Sequence, residues 1–212
     1  LVHILHQDDR LQPDFYTKVA QPLLSDDSLV ASFSRARIVD DQGEYRNDQS
    51  LMQTEAGIAE GFSAKMALRQ RVLFPTMIVR RSAYERVGGF SRSLIFAFDL
   101  EMWSRLSSIG PVWFEPEPLA DYRTHQWSVT NSIANRDRLV DGMQAARLNL
   151  DHIEQPLKAP TLAATMYRLL LREWGGIDIA DLGNTDSSDK AVLLEFLLGA
   201  LSPALDAEIS AP

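Results

Sequence analysis

Apolar and polar positions change their period along the chain. Short β-prone runs alternate with helical spacing as far as residue 123, and beyond it only helical spacing recurs. Residues 2–5 (VHIL) form the first run, which passes through His6 and Gln7 into the adjacent carboxylates Asp8 and Asp9. Pro13 opens a helix in which Phe15, Val19 and Leu23 fall at i, i+4 and i+8. Pro22 is expected to kink that helix or to end it near Ala20. Two further β-prone runs, 29–33 and 36–39, lead to a turn at Asp40-Asp41-Gln42-Gly43. Residues 44–70 are polar, and the section from about 56 to 71 reads equally as helix or loop.

Residues 71–80 (RVLFPTMIVR) regain strand character, with Pro75 requiring an edge or a bulge. Ser82-Ala83-Tyr84-Glu85 has the pattern of a capping box, and the short helix it opens stops at Gly88-Gly89. After a loop rich in aromatic residues, Asp99, Trp103 and Leu106 share one helix face, while Glu101 and Arg105 can pair on another. Gly110-Pro111 ends that helix. Strand character returns at 112–114 and 119–123, with Pro116 and Pro118 expected to interrupt pairing between them. Leu139, Met143, Ala146, Leu150 and Ile153 then mark one helix, Leu162 to Leu170 a second closed by Gly175-Gly176, and 189–198 a third after the polar loop 178–188. The expected fold is therefore α/β: a mixed sheet from 2–5, 29–33, 36–39, 72–80 and 112–123 with flanking helices, followed by a helical C-terminal tail. This divides the chain into 1–130 and 131–212, the tail packing on the sheet or on a partner such as a second copy.

Composition narrows the function classes. The 212 residues carry 21 basic and 29 acidic side chains, a net charge of −8, which offers no basic footprint for nucleic acid. There is no cysteine, so disulfides and thiolate metal sites are excluded, as suits a reducing cytoplasm. No apolar run reaches the length of a membrane span. Because the chain opens directly on a strand with no βαβ unit before it, it is expected to be a portion of a longer one.

The chemistry centres on Asp8 and Asp9. Ligands of α/β sheets lie just outside the carboxyl ends of strands. Two carboxylates there are hard oxygen donors suited to Mg²⁺ or Mn²⁺, although the same residues also read as a strand-to-helix turn capped by Asp. Three other features fall in order behind them: residues 79–90 (VRRSAYERVGGF), residues 98–106 (FDLEMWSRL) and Tyr122-Arg123-Thr124-His125. With residues 5–16 (LHQDDRLQPDFY), these four segments resemble the family-2 glycosyltransferases, inverting nucleotide-sugar transferases of the GT-A fold. The likeness covers about residues 1–130 and omits the part that holds the nucleotide base in that family.

The resemblance implies a partial GT-A, Rossmann-like sheet and a sugar transferred with inversion from a nucleotide-diphosphate donor to a glycan or lipid-linked acceptor. It implies Mn²⁺ or Mg²⁺ as cofactor, bound by Asp8 and reached by His125, and Asp99 as catalytic base. Substrate contacts would come from His6, Asp9, Gly88, Gly89, Phe98 and Arg123. His6 stands where the family's first motif aspartate is usual, which removes the usual ribose contact, and Phe98 stands where a glutamate usually precedes the base. The implied setting is the cytoplasm, at most peripheral at the inner face of the membrane. The residues themselves leave other readings open. Asp99 also suits a helix cap, Gly88-Gly89 a plain helix terminator, His125 a loop histidine bonded to backbone, and Trp103 a core position; His3 and His152 read as structural. A non-catalytic interaction domain that has lost its nucleotide half is the alternative function. A two-carboxylate glycoside hydrolase is a third.

Overall fold

The computed structural model describes residues 1–68, 70–128, 132–133, 135–150 and 152. In chain order these form β1 (Val2–His3), β2 (Arg10–Leu11), α1 (Phe15–Ser25), β3 (Ala31–Val39), β4 (Tyr45–Asp48) and β5 (Gly57–Ile58). There follow α2 (Phe62–Leu68), a 3₁₀ turn (Phe74–Thr76), β6 (Met77–Val79), α3 (Arg81–Val87), α4 (Phe98–Ser107), β7 (Val112–Arg123) and α5 (Asn135–Leu150). The expected second and third tail helices lie outside the described residues.

A parallel pair, β3 and β7, forms the centre of a mixed sheet in the order β1-β6-β3-β7-β2. All other pairings among the described residues are antiparallel. The outer edge of β3 carries β6 along its first half and β4 along its second; β7 carries β5 and then β2 in the same way. Both long strands therefore run in one direction and finish together, Val39 opposite Arg123.

Alternation along the strands divides the core between the two faces. Met77 and Val79 of β6 turn one way with Ala31, Phe33, Val112 and Phe114, against Phe62 and Met66 of α2 and Met102, Trp103 and Leu106 of α4. Ile78 turns the other way and meets Phe15, Val19 and Leu23 of α1, with Leu29, Leu119 and Ala120. Each fully buried aliphatic or aromatic side chain contributes about 1.5–3 kcal/mol, so both faces hold the sheet. Gly110 fits here because it is glycine: a Cβ would land on Val30 Cγ1 and 3.2 Å from Ser28 O.

Several expected elements come out differently. The helix from Pro13 does not stop near Ala20; α1 runs through Pro22 to Ser25. Val19 and Leu23, one turn apart across the proline, are both fully buried, and Asp26 N–H donates to Pro22 O at 3.0 Å. Packing on both sides thus outweighs the one backbone bond that proline removes. Its start is held by Asp14 in left-handed backbone (φ 65°), with no side-chain cap. The runs 29–33 and 36–39 are one strand, β3. The pieces 112–114 and 119–123 are likewise one strand, β7, because the register shifts between Ser34 and Ala36 accommodate the stretch with Pro116 and Pro118. Of 2–5 only Val2–His3 pairs, and of 72–80 only Met77–Val79, Pro75 having turned the preceding residues into the 3₁₀ turn. The capping box at Ser82 is absent: the residue before α3 is Arg80, and no side chain caps it. Gly88 does end α3, at φ 82°. Glu101 and Arg105 pair as expected, through two contacts of 2.8 Å.

Candidate functional site

The carboxyl ends of β3 and β7 make one rim of the sheet, and the turn between β1 and β2 lies across it. Asp9 N–H donates to His6 O at 3.3 Å, which folds His6, Gln7, Asp8 and Asp9 back before Arg10 pairs with Asp121. Arg123, the last residue of β7, fixes this turn. Its backbone N–H donates to Asp9 Oδ1 (3.0 Å) and its Nε to Asp8 O (2.9 Å). A third arm, Nη1, reaches Asp40 O (3.2 Å) and Asp41 O (2.9 Å) in the turn after β3. One guanidinium thereby joins three segments that are distant in sequence, through a planar fork of fixed geometry. Thr124 N–H continues the pairing to Val39 O (2.9 Å), and the next residue, His125, donates from Nε2 to Asp8 Oδ2 (3.0 Å).

The two aspartates stand in different electrostatic states. The hydrogen bond from His125 holds Asp8 below the ordinary carboxylate range, so Asp8 is ionised at neutral pH. Asp9 is buried, and burial pushes its carboxyl up to about 6 despite the Arg123 N–H bond. Asp9 Oδ2 has no hydrogen-bond partner among the described residues; His6 Nδ1 lies 3.6 Å away. Ligand atoms of His6, Asp8 and Asp9 lie within 4.8 Å of one another. An orphaned carboxylate oxygen beside an imidazole nitrogen and a second carboxylate suits a divalent cation, which would supply the missing partner. Among the implied metals the imidazole favours Mn²⁺ over Mg²⁺, which prefers oxygen and water.

A chain of aromatic rings leads from this turn to α4. His6 stacks on Phe74 (ring centroids 4.4 Å, planes 20° apart), and Phe74 contacts Phe90 (5.9 Å), Phe98 (6.2 Å) and Trp103 (5.7 Å). Phe98 opens α4, and Asp99 follows it. Leu100 N–H donates to Asp99 Oδ1 (2.7 Å), and Gln70 Nε2 donates to Oδ2 (2.7 Å). Asp99 keeps some solvent contact, but protein surrounds its carboxylate, and this burial raises it to about 7. Gly88 and Gly89 lie at the surface after α3; Arg105 of α4 ties them down by donating to Val87 O (2.7 Å) and Gly89 O (3.0 Å).

The residues singled out in the sequence thus fall into two groups. His6, Asp8, Asp9, Arg123 and His125 form one cluster; Phe98 and Asp99, with Gly88 and Gly89 bound to the same helix, form the other. Phe74 and Gln70 were not legible as site residues: one sits in a strand-like run and the other in a polar stretch. His3 is structural, as read, donating from Nε2 to Pro75 O (2.9 Å), and Trp103 is core. No protein-family model matches the chain, and no curated protein matches it.

Proposed function

We propose that this chain is the catalytic portion of an inverting, metal-assisted glycosyltransferase that uses a nucleotide-diphosphate sugar, as the family-2 likeness implies. The observation that supports this most is the meeting of Asp8 and His125, 117 positions apart, beside an unpaired Asp9 oxygen at the carboxyl rim of the sheet. The likeness nominates His125, Asp99 and Arg123, whereas the Asp8-Asp9 pair stands out in the sequence by itself. The contacts of Asp8 with His125 and Arg123 do not depend on the likeness.

In this reading His6, Asp8 and Asp9 hold Mn²⁺ or Mg²⁺, with His125 held against the Asp8 carboxylate. The cation would offset the charge that gathers on the departing diphosphate. Arg123 fixes the two aspartates: it grips the Asp8 carbonyl and the Asp9 carboxylate at once, so neither can swing away from the turn. Asp99 accepts the proton of the acceptor hydroxyl as that oxygen attacks the anomeric carbon, and the sugar's bond to the diphosphate breaks with its electron pair leaving on the diphosphate. A carboxyl near 7 is half ionised at neutral pH, which matches a general base to its task. Gln70 orients the same carboxylate. The acceptor is a glycan or lipid-linked hydroxyl.

Calorimetric titration with a panel of nucleoside diphosphates, with and without Mn²⁺, tests the donor half of this reading. Mn²⁺-dependent binding that disappears in Asp8→Asn is the expected result. An Asp8→Asn chain that binds metal and nucleotide as the parent does removes the proposal. A chain that binds no nucleoside diphosphate even at millimolar concentration favours the interaction-domain alternative.

A further inference from the structure

α5 reaches the turn that opens α4 through one buried side chain. Asp141, on α5, accepts three backbone hydrogen bonds: Ile95 N–H on Oδ1 (2.7 Å), and Phe96 N–H (2.8 Å) and Ala97 N–H (2.5 Å) on Oδ2. Three successive amides closing on one carboxylate form an anion-binding concavity, here filled from within the protein. α4 has no cap of its own: the residue before it is Ala97, whose side chain cannot accept a hydrogen bond. Leu94, Ala97 and Ala145 pack together around the same contact, with Phe96, Phe98 and Leu100 beside them. Asp99 stands two residues beyond the last of the three amides.

We propose that Asp141 is a positioning residue for Asp99, its carboxylate tying α5 to the 95–97 amides so that the first turn of α4 and the Asp99 carboxylate are held in place. The catalytic consequence rests on the reading of Asp99 as base; the coupling between the two aspartates does not. α2 brings Lys65 and α3 brings Arg81, Glu85 and Arg86 to helices packed on α4, while Glu101 and Arg105 of α4 satisfy each other. Gln70 adds a neutral amide donor. α5 itself also carries Asp137, Arg138 and Arg147; the Asp141 carboxylate disfavours the ionised form of Asp99 and adds a smaller effect to that of burial. The helix that follows the β-rich part is then part of the site rather than an appendage to it.

The test compares Asp141→Asn and Asp141→Ala with the parent over the full chain. Asn keeps the shape but offers one acceptor oxygen, and Ala offers none. The primary readout is the Asp99 carboxyl titration followed by ¹³C NMR, which needs no substrate. The amide resonances of residues 95–97 are read alongside it, and kcat and KM are measured with Mn²⁺ and a panel of nucleotide sugars. Ile78→Val, which thins the core on the α1 face, controls for lost stability. The expected result in both Asp141 variants is a downward move of the Asp99 titration and displaced 95–97 amides. With these comes a loss of kcat of roughly 10–100-fold at little-changed donor KM, the scale of a small misplacement of a reacting group, with none of these changes in Ile78→Val. If Asp99 titrates in Asp141→Ala as in the parent, the inference is wrong. If the titration moves but kcat holds while Asp99→Asn abolishes turnover, the positioning role falls and the base reading stands. Undiminished turnover in Asp99→Asn removes the base reading instead, and the coupling of the two aspartates is then decided by the titration alone.

Discussion

Replacing Asp9 by Asn isolates the cost of keeping an unpaired carboxylate in a folded chain. Burial raises this carboxyl from 3.8 to about 6, so the protonated form is favoured in the folded state relative to the unfolded one. The sign follows from linkage. Below the ordinary carboxylate range both states hold the proton and nothing is lost. As pH rises through the window from 3.8 to about 6 the unfolded chain releases its proton first, and stability declines until the folded carboxyl has also ionised. At 1.36 kcal/mol per unit, the full penalty above that window is about 3 kcal/mol. Asn keeps the acceptor for the Arg123 N–H and carries no charge. In metal-free buffer Asp9→Asn is therefore expected to unfold at higher urea than the parent at neutral pH, by up to about 3 kcal/mol, with the gain shrinking towards zero in acid. Mn²⁺ at about a thousandfold excess over its Kd should reverse the ranking, because a ligand that binds only the folded state then adds about 4.1 kcal/mol. The parent should gain this and the variant should not. A variant that is less stable than the parent at neutral pH without metal, or that gains as much from Mn²⁺, refutes the claim that Asp9 Oδ2 is an orphan awaiting a cation.

Three other outcomes are expected. On the proposed function, in an active enzyme that includes the part holding the nucleotide base, Asp99→Asn should lower kcat for sugar transfer by about 10²–10⁴-fold while donor binding stays near normal, as single-turnover and binding measurements would show. Arg123→Lys, which loses the fork joining Asp8, Asp40 and Asp41, should weaken Mn²⁺ binding about 10–100-fold by calorimetry, the usual scale for a residue that orients ligands. Gly110→Ala should cost roughly 1–3 kcal/mol in urea unfolding, since its methyl group would fall on Val30; an unchanged midpoint would mean that this turn can open.

Parts of the molecule were legible in the sequence because they are local. The α1 face of Phe15, Val19 and Leu23, the Glu101–Arg105 pair and the stop at Gly88 each need only spacing along one helix, and each is found in the fold. The two-residue strands β2 and β5 have no length over which alternation could show, and β4 (YRND) is a polar edge defined only by the strand it pairs with. Continuity of β7 through Pro116 and Pro118 was hidden for the opposite reason. Proline forbids regular pairing locally, but a parallel neighbour can absorb the extra residues as register shifts. In the site, Asp8 and Asp9 announce themselves by adjacency. Gln70 and Asp141 gave no signal: a polar residue in a polar stretch and a charged residue on a helix read as solvated until the partner helix is in place.

The electrostatics of Asp99 show where local reasoning gives the wrong sign. At the first turn of a helix, the dipole and free amides favour an ionised carboxylate, and this alone would place its carboxyl below the ordinary range. That effect is worth about 0.3–1 kcal/mol, less than one pKa unit. Removal of water acts in the opposite direction and is larger: the carboxyl rises from 3.8 to about 7 even with Leu100 N–H and Gln70 donating to it. The two aspartates of the turn between β1 and β2 part in the same manner, Asp8 low beside His125 and Asp9 raised by burial. Three carboxylates thus take three protonation behaviours from their surroundings alone. Environments that push titratable groups apart in this way let one fold hold a permanent anion and a proton acceptor at neutral pH.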